Sequence, residues 1–91
     1  MKKRSIVSTL ITNSKLEPIC FGSNLDNALY HLAKLQKNKD INIKPLETVF
    51  VFRWEGSLMY GRWELFSART YRSLIKESKI YVRSKDYNKD Y

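Results

Sequence analysis

Two apolar rhythms run along this chain, one of period two and one near 3.6, and each predicts its own kind of element. From Arg4 to Thr12 the residues are mostly β-branched or hydroxylated, which predicts a strand. Asn13-Ser14-Lys15 signals a turn, and Leu16 to Phe21 return as a short second strand. Pro18 has no N–H to donate, so it belongs at a sheet edge or at the strand start. Gly22 breaks this pattern. Ser23-Asn24-Leu25-Asp26 fits a capping box, the serine hydroxyl meeting an amide near Asp26 and the carboxylate reaching back. Leu25, Ala28, Leu29, Leu32 and Leu35 then recur at helical spacing and predict a helix over about 24–38. Lys34, Lys37 and Lys39 load its carboxyl end, where the helix dipole favours cations.

After a polar connection over 38–45, Thr48 to Trp54 is rich in strand formers, and Gly56-Ser57 reads as a two-residue hairpin turn. Pairing Glu55 with Leu58 sets Trp54 against Met59, Phe52 against Gly61 and Phe50 against Trp63. Phe50, Phe52, Trp54, Met59 and Trp63 then share one face, which is assigned to the core. Val49, Val51, Arg53, Tyr60, Arg62 and Glu64 take the other face. Trp63, Phe66, Thr70, Tyr71, Leu74 and Ile75 also fit a 3.6-residue period, so 62–66 is open to both readings. The boundary is set at a strand over 58–65 followed by a helix over about 67–77. Lys79 to Arg83 reads as a last strand with Ile80 and Val82 pointing inward. The whole predicts an α+β domain over 1–84, an antiparallel sheet with a central hairpin packed against two helices. A polar tail over 85–91 is expected to fray.

Size and composition narrow the function classes. At 91 residues the chain is too short for two domains, a dinucleotide-binding fold or a β/α barrel. Its 43% hydrophobic residues suffice for a small core. Cys20 is the only cysteine and His31 the only histidine, so an internal disulfide and a cysteine-rich zinc site are both excluded, and no metal or cofactor is expected. No run approaches the roughly 18 apolar residues that span a bilayer. Met1-Lys2-Lys3-Arg4 carries the charge of a signal-peptide start, but the apolar stretch after it is short and hydroxylated. The expectation is a cytoplasmic protein without membrane association.

Chemistry is carried by cations rather than by a catalytic motif. Gly22, Gly56 and Gly61 are too few and too far apart for a phosphate loop. Cys20 reads as a packing residue beside Phe21, and His31 as a boundary residue next to the apolar stripe. The 17 Lys and Arg against 9 Asp and Glu give a net charge of +8. Between Arg62 and Lys85 seven basic residues meet two acidic ones, a local excess of 7 − 2 = +5. Arg69, Arg72 and Lys76 stand at i, i+3 and i+7, aligned on one face of the predicted second helix opposite Tyr71, Leu74 and Ile75. Arg53, Tyr60 and Arg62 line the back of the hairpin, and Lys79, Tyr81 and Arg83 face outward on the last strand. Lys2, Lys3 and Arg4 add charge at the amino terminus. Cations interleaved with tyrosines suit single-stranded RNA or DNA, through phosphate neutralisation and base stacking. A solvated sheet or helix face carries the same residue types. Helix-turn-helix, zinc-finger and ribonucleoprotein signatures are missing from the sequence, which directs the expectation to RNA or single strands rather than to duplex reading.

Eleven lysines, six asparagines, six tyrosines and the tail Lys85-Asp86-Tyr87-Asn88-Lys89-Asp90-Tyr91 give a composition similar to that of small accessory proteins of T4-like bacteriophages. The resemblance implies a role in host takeover or counter-defence and transfers no site residue. Three readings follow. The first is a nucleic-acid-binding regulator using Arg53, Tyr60, Arg62, Arg69, Arg72, Lys76, Lys79, Tyr81 and Arg83. The second is an inhibitor that binds a host enzyme or toxin, alone or together with RNA, since interface hot spots use the same aromatics and arginines. The third is a small metal-independent ribonuclease drawing on His31, Glu55, Glu64 and the arginines. A homodimer burying part of the hairpin is compatible with each.

Overall fold

A computed structural model describes residues 8–39 and 41–83, with side chains described as far as Ile80. The elements run β1 (Thr9–Thr12), β2 (Pro18–Gly22), α1 (Leu25–Lys37), β3 (Thr48–Gly56), β4 (Gly61–Thr70) and α2 (Tyr71–Arg83). The strands form one antiparallel sheet in the order β2-β1-β3-β4. Both helices lie on one side of it, so the α+β architecture expected from the sequence is the one observed. Residues 4–7 of the first predicted strand, the Lys2-Lys3-Arg4 cluster and the 85–91 tail lie outside the described residues.

The first half follows local chemistry closely. Asn13 shapes the β1–β2 turn, its Oδ1 accepting from the amides of Lys15 at 2.8 Å and Glu17 at 2.9 Å. Pro18 sits at the start of edge strand β2, where a missing donor costs nothing. Helix α1 is capped by Asn24 rather than by Ser23: the Asn24 side chain accepts from the Asn27 amide at 2.8 Å. Asparagine and serine are equivalent cap types, and it is the extended backbone of Asn24 that leaves Leu25 as the first helical residue. The stripe predicted for α1 is the one buried, with Ala28, Leu29 and Leu32 fully enclosed.

The second half departs from expectation in three places, each with a physical cause. The hairpin turn has four residues, not two, because Gly56 pairs with Gly61 and residues 57–60 form the loop. Gly56 takes φ +129, and a Cβ there would lie 2.3 Å from the Tyr60 carbonyl oxygen. The Trp54 indole donates to the Ser57 carbonyl at 2.9 Å and covers Gly61, whose added Cβ would meet that ring at 2.6 Å. Next, Phe66 is an extra residue opposite the Val51–Phe52 step, a bulge that breaks the period of two. That offset is what imitates helical spacing over 62–71. Residues 62–66 are strand, β4 runs to Thr70, and the helix predicted at 67–77 is α2 at Tyr71–Arg83. Residues 79–83 are therefore helix and not strand, and Ile80 is exposed rather than inward.

The third departure concerns the core. Ile11, Cys20, Val49 and Val51 face the helices and pack with Ala28, Leu29, Leu32, Tyr71 and Leu74. The face assigned to the core from aromatic size is the opposite one. Phe50, Phe52, Trp54 and Trp63 alternate with the valines and lie on the side without helices, each half-buried. Met59 is at the hairpin tip and 86% exposed. The reason is visible in β3 itself, which is apolar on both faces, so alternation alone does not select one of them.

Candidate nucleic-acid interface

The predicted cationic residues divide into three groups. Arg53 and Arg62 alternate with the core valines and so lie on the helix side of the sheet, beyond the ends of the helices. Their register partners are Glu64 and Glu55, not Tyr60 and Val51 as expected from the shorter turn. Arg62 binds Glu64 with a 2.5 Å ion pair, and the Arg53 guanidinium lies 4.3 Å from the centre of the Phe66 ring. Two cations and two carboxylates on one patch leave it close to neutral. Tyr60 stands apart at the hairpin tip, 82% exposed.

Arg69 belongs to β4 and not to a helix. Its Nη1 donates to Glu77 at 2.5 Å and its Nη2 to Ser73 at 2.7 Å. This fork ties the end of the sheet to α2, so its charge is used internally. Sequence spacing could not separate this role, because Arg69, Arg72 and Lys76 fit a helical line whether or not the helix includes the first of them.

Arg72, Lys76 and Lys79 form the third group, on the exposed side of α2. They flank a groove of about 380 Å³ lined also by Gln36, Ile41, Pro45 and Ile75. A neighbouring groove of about 430 Å³ shares Gln36, Ile75 and Lys79 and adds Ala33, Lys37 and Lys39. Lys39 has φ 60, a left-handed conformation usually left to glycine or asparagine at a helix end. Its amide bonds the Gln36 carbonyl, and the turn delivers its side chain to the groove. The two ion pairs among the described residues are Arg62–Glu64 and Arg69–Glu77, so none of these five cations is neutralised by a described carboxylate. Lys37 and Lys39 are members of this cluster that the sequence reading assigned only to the helix dipole. The signal was present: a lysine-rich helix end followed by a second helix with an i, i+4, i+7 basic row.

Tyr81 and Arg83 extend α2 beyond Lys79 in its last turn, outside the described side chains. Tyr60 is at the other end of the molecule. The end of β3 that leads to the hairpin tip lies beside the start of α1, where Asn24 and Leu25 share a cleft with Arg53 and Trp54. The lysine cluster lies where α1 ends, and a 13-residue helix is roughly 20 Å long. The interleaved surface expected from sequence is thus divided into a cationic helix layer and a separate aromatic hairpin.

Cys20, Tyr71 and His31 are the remaining reactive groups. Cys20 is buried, its thiol 3.5 Å from the Ala28 carbonyl, and burial pushes it up to about 12. Tyr71 bonds Gln36, and burial, with the neighbouring Cys20, pushes its phenol up to about 12. His31 is exposed on α1, with Tyr30 edge-on at 5.6 Å. Among the described residues no three His, Cys, Asp or Glu side chains gather to hold a metal ion, and no helix is long and apolar enough to cross a membrane. No family model matches the chain, and no curated protein or solved structure matches it either.

Proposed function

We propose that this protein is a small nucleic-acid-binding regulator that holds the phosphate backbone of RNA or another single strand on its helix layer. The observation that carries the reading is the convergence of Lys37, Lys39, Arg72, Lys76 and Lys79 around two adjoining grooves with no described carboxylate between them. Cations gathered on adjacent elements without a described carboxylate partner attract a polyanion and release its counterions, which gives affinity without base-specific contacts. Ile41, Pro45 and Ile75 give the grooves an apolar floor on which a sugar or base can rest. Such a regulator, acting in the cytoplasm, suits the host-takeover role implied by the phage-like composition.

The test is anisotropy of a labelled single-stranded RNA over a salt series. Five phosphate contacts at about 0.7 each give a log–log slope of about −3 to −4. The triple variant Arg72→Ala/Lys76→Ala/Lys79→Ala should flatten that slope by about 2, whereas Arg62→Ala should leave it unchanged. Absence of binding at low salt, or an equal loss from Arg62→Ala, defeats the proposal. Capture of one stoichiometric protein, insensitive to nuclease, would point instead to the host-protein inhibitor.

A further inference from the structure

The helix-free face of the sheet has no cover within the described chain, and its composition is unlike the rest of the surface. One register row runs Phe21–Leu10–Phe52–Leu65 across all four strands. Beside it, Trp54 and Trp63 meet edge-on at 5.3 Å. Leu10 is 8% exposed although it is outside the helix-side core, while Phe21 and Leu65 are 45% and 57% exposed. On a chain of net charge +8, no side chain that the described strands place on this face is charged. Soluble monomers rarely leave a contiguous apolar patch of this kind.

We infer that this face packs against the same face of a second copy, giving a two-fold sandwich with helices on both outer sides. Three observations select that occupant. Charge comes first: an acidic protein or a nucleic acid is matched by the lysine cluster on the helix layer, whereas an uncharged aromatic face matches another of its kind. A two-fold axis supplies one automatically, because the interface is the same patch on both copies. It also lets two chains of charge +8 meet through a side on which the described strands place no charge. The next is the sequence of β3. Val49-Phe50-Val51-Phe52 is apolar without alternation, the signature of a strand covered on both faces, and the helices cover only one. Area is the last. The strands hold 4, 5, 9 and 10 residues. At about 3.3 Å per residue and 4.8 Å per strand they tile roughly 440 Å² in plan. The relief of the aromatic rings adds to this and brings it to the lower limit of about 500 Å² per copy for a specific pair, below the roughly 800 Å² of a standard one.

This inference is independent of the phosphate-binding reading, since the two surfaces lie on opposite sides of the sheet. Sedimentation equilibrium of the full chain, nuclease-treated and in high salt, tests it without interference from bound polyanions. The wild type should sediment at twice the 10.8 kDa chain mass. Leu65→Glu and Phe21→Glu, both at exposed positions, should raise the dissociation constant at least about a hundredfold by placing a carboxylate in an apolar seam. Their circular dichroism should be unchanged, and Leu46→Glu, exposed in the turn before β3 and outside the strands, should remain dimeric. On dilution of the wild type, the emission of Trp54 and Trp63 should move to the red. A wild-type monomer at all concentrations, or dimers that survive both glutamates, overturns the inference. A monomeric wild type destabilised by Leu65→Glu would show that other residues of the same chain cover the face.

Discussion

The two sides of the sheet are built from alternate residues of the same strands, yet they are made of different materials. Toward the helices the side chains of the sheet are compact: Ile11, Cys20, Val49 and Val51 pack with Ala28, Leu29 and Leu32 of α1. Gly22 belongs to this economy of space, since a Cβ there would stand 2.3 Å from the Ala28 amide nitrogen. Away from the helices the chain places Phe21, Phe50, Phe52, Trp54 and Trp63. Small branched residues let a helix approach closely, whereas large rings leave relief that suits another relief. The comparison teaches that the largest apolar residues are not automatically the core of a small domain. Here they build the face that the described residues leave without a covering helix.

Truncating one residue on each side breaks that comparison most directly. Leu29→Ala opens a cavity under a fully buried helix position and should lower stability by about 2–5 kcal/mol. Phe21→Ala removes a side chain that is already half in water, and should cost under about 1 kcal/mol in a monomer. Urea midpoints, both measured in the Leu65→Glu background, give the contrast. Equal losses would mean that the aromatic side is as tightly closed within one chain as the helix side.

What could be read from the sequence divides along the same line. Helix α1, the strand pair before it and the edge position of Pro18 were legible because each depends on local chemistry: a stripe, a turn, a missing donor. The order of the hairpin was legible, but its face was not. Val49, Val51, Phe50 and Phe52 are all good strand formers, and only the docking of α1 decides which pair is inside. The bulge at Phe66 hid the end of β4 for a related reason, since one extra residue turns a period of two into an apparent helical spacing. Among the candidate residues, Arg72, Lys76 and Lys79 lie exposed on α2 beside the end of α1. Arg53, Arg62 and Arg69 were chosen by type and period, and their partners Glu64, Glu55, Phe66 and Glu77 become visible only with register. Lys37 and Lys39 entered the cluster only when α2 crossed the end of α1.

A smaller effect sharpens the comparison through pH. Cys20 and Tyr71 both lie on the helix side, and burial raises their values from 9.0 and 10.0 to about 12. Folding thus favours their neutral forms. Their contribution to stability is fully present below about 9 and is lost as pH rises toward about 12. The stability of the wild type should fall across that interval, and Cys20→Ala, whatever its level at neutral pH, should fall less steeply. Following thiolate absorbance in the folded protein checks the cause. A midpoint near the ordinary 9.0 would show that water reaches this side of the sheet.

The smallest contrast is between the two ion pairs, which sample the same face at two depths. Arg69 and Glu77 have side chains about one-third exposed and Arg69 also donates to the Ser73 hydroxyl, whereas Arg62 is 77% exposed and its partner Glu64 44%. Solvent screening weakens both, and the second more. Glu77→Gln should therefore cost about 1 kcal/mol and Glu64→Gln less than about 0.5 kcal/mol, with the difference shrinking in high salt. Both measurements come from the same denaturation series. The first pair joins the last strand to α2, so its loss also loosens the helix that carries Arg72, Lys76 and Lys79. The second joins neighbours two residues apart on one strand and holds nothing else in place. Equal costs would mean that the sheet end under α2 is as wet as the free hairpin, and the boundary between enclosed and open regions would have to move inward to the valines.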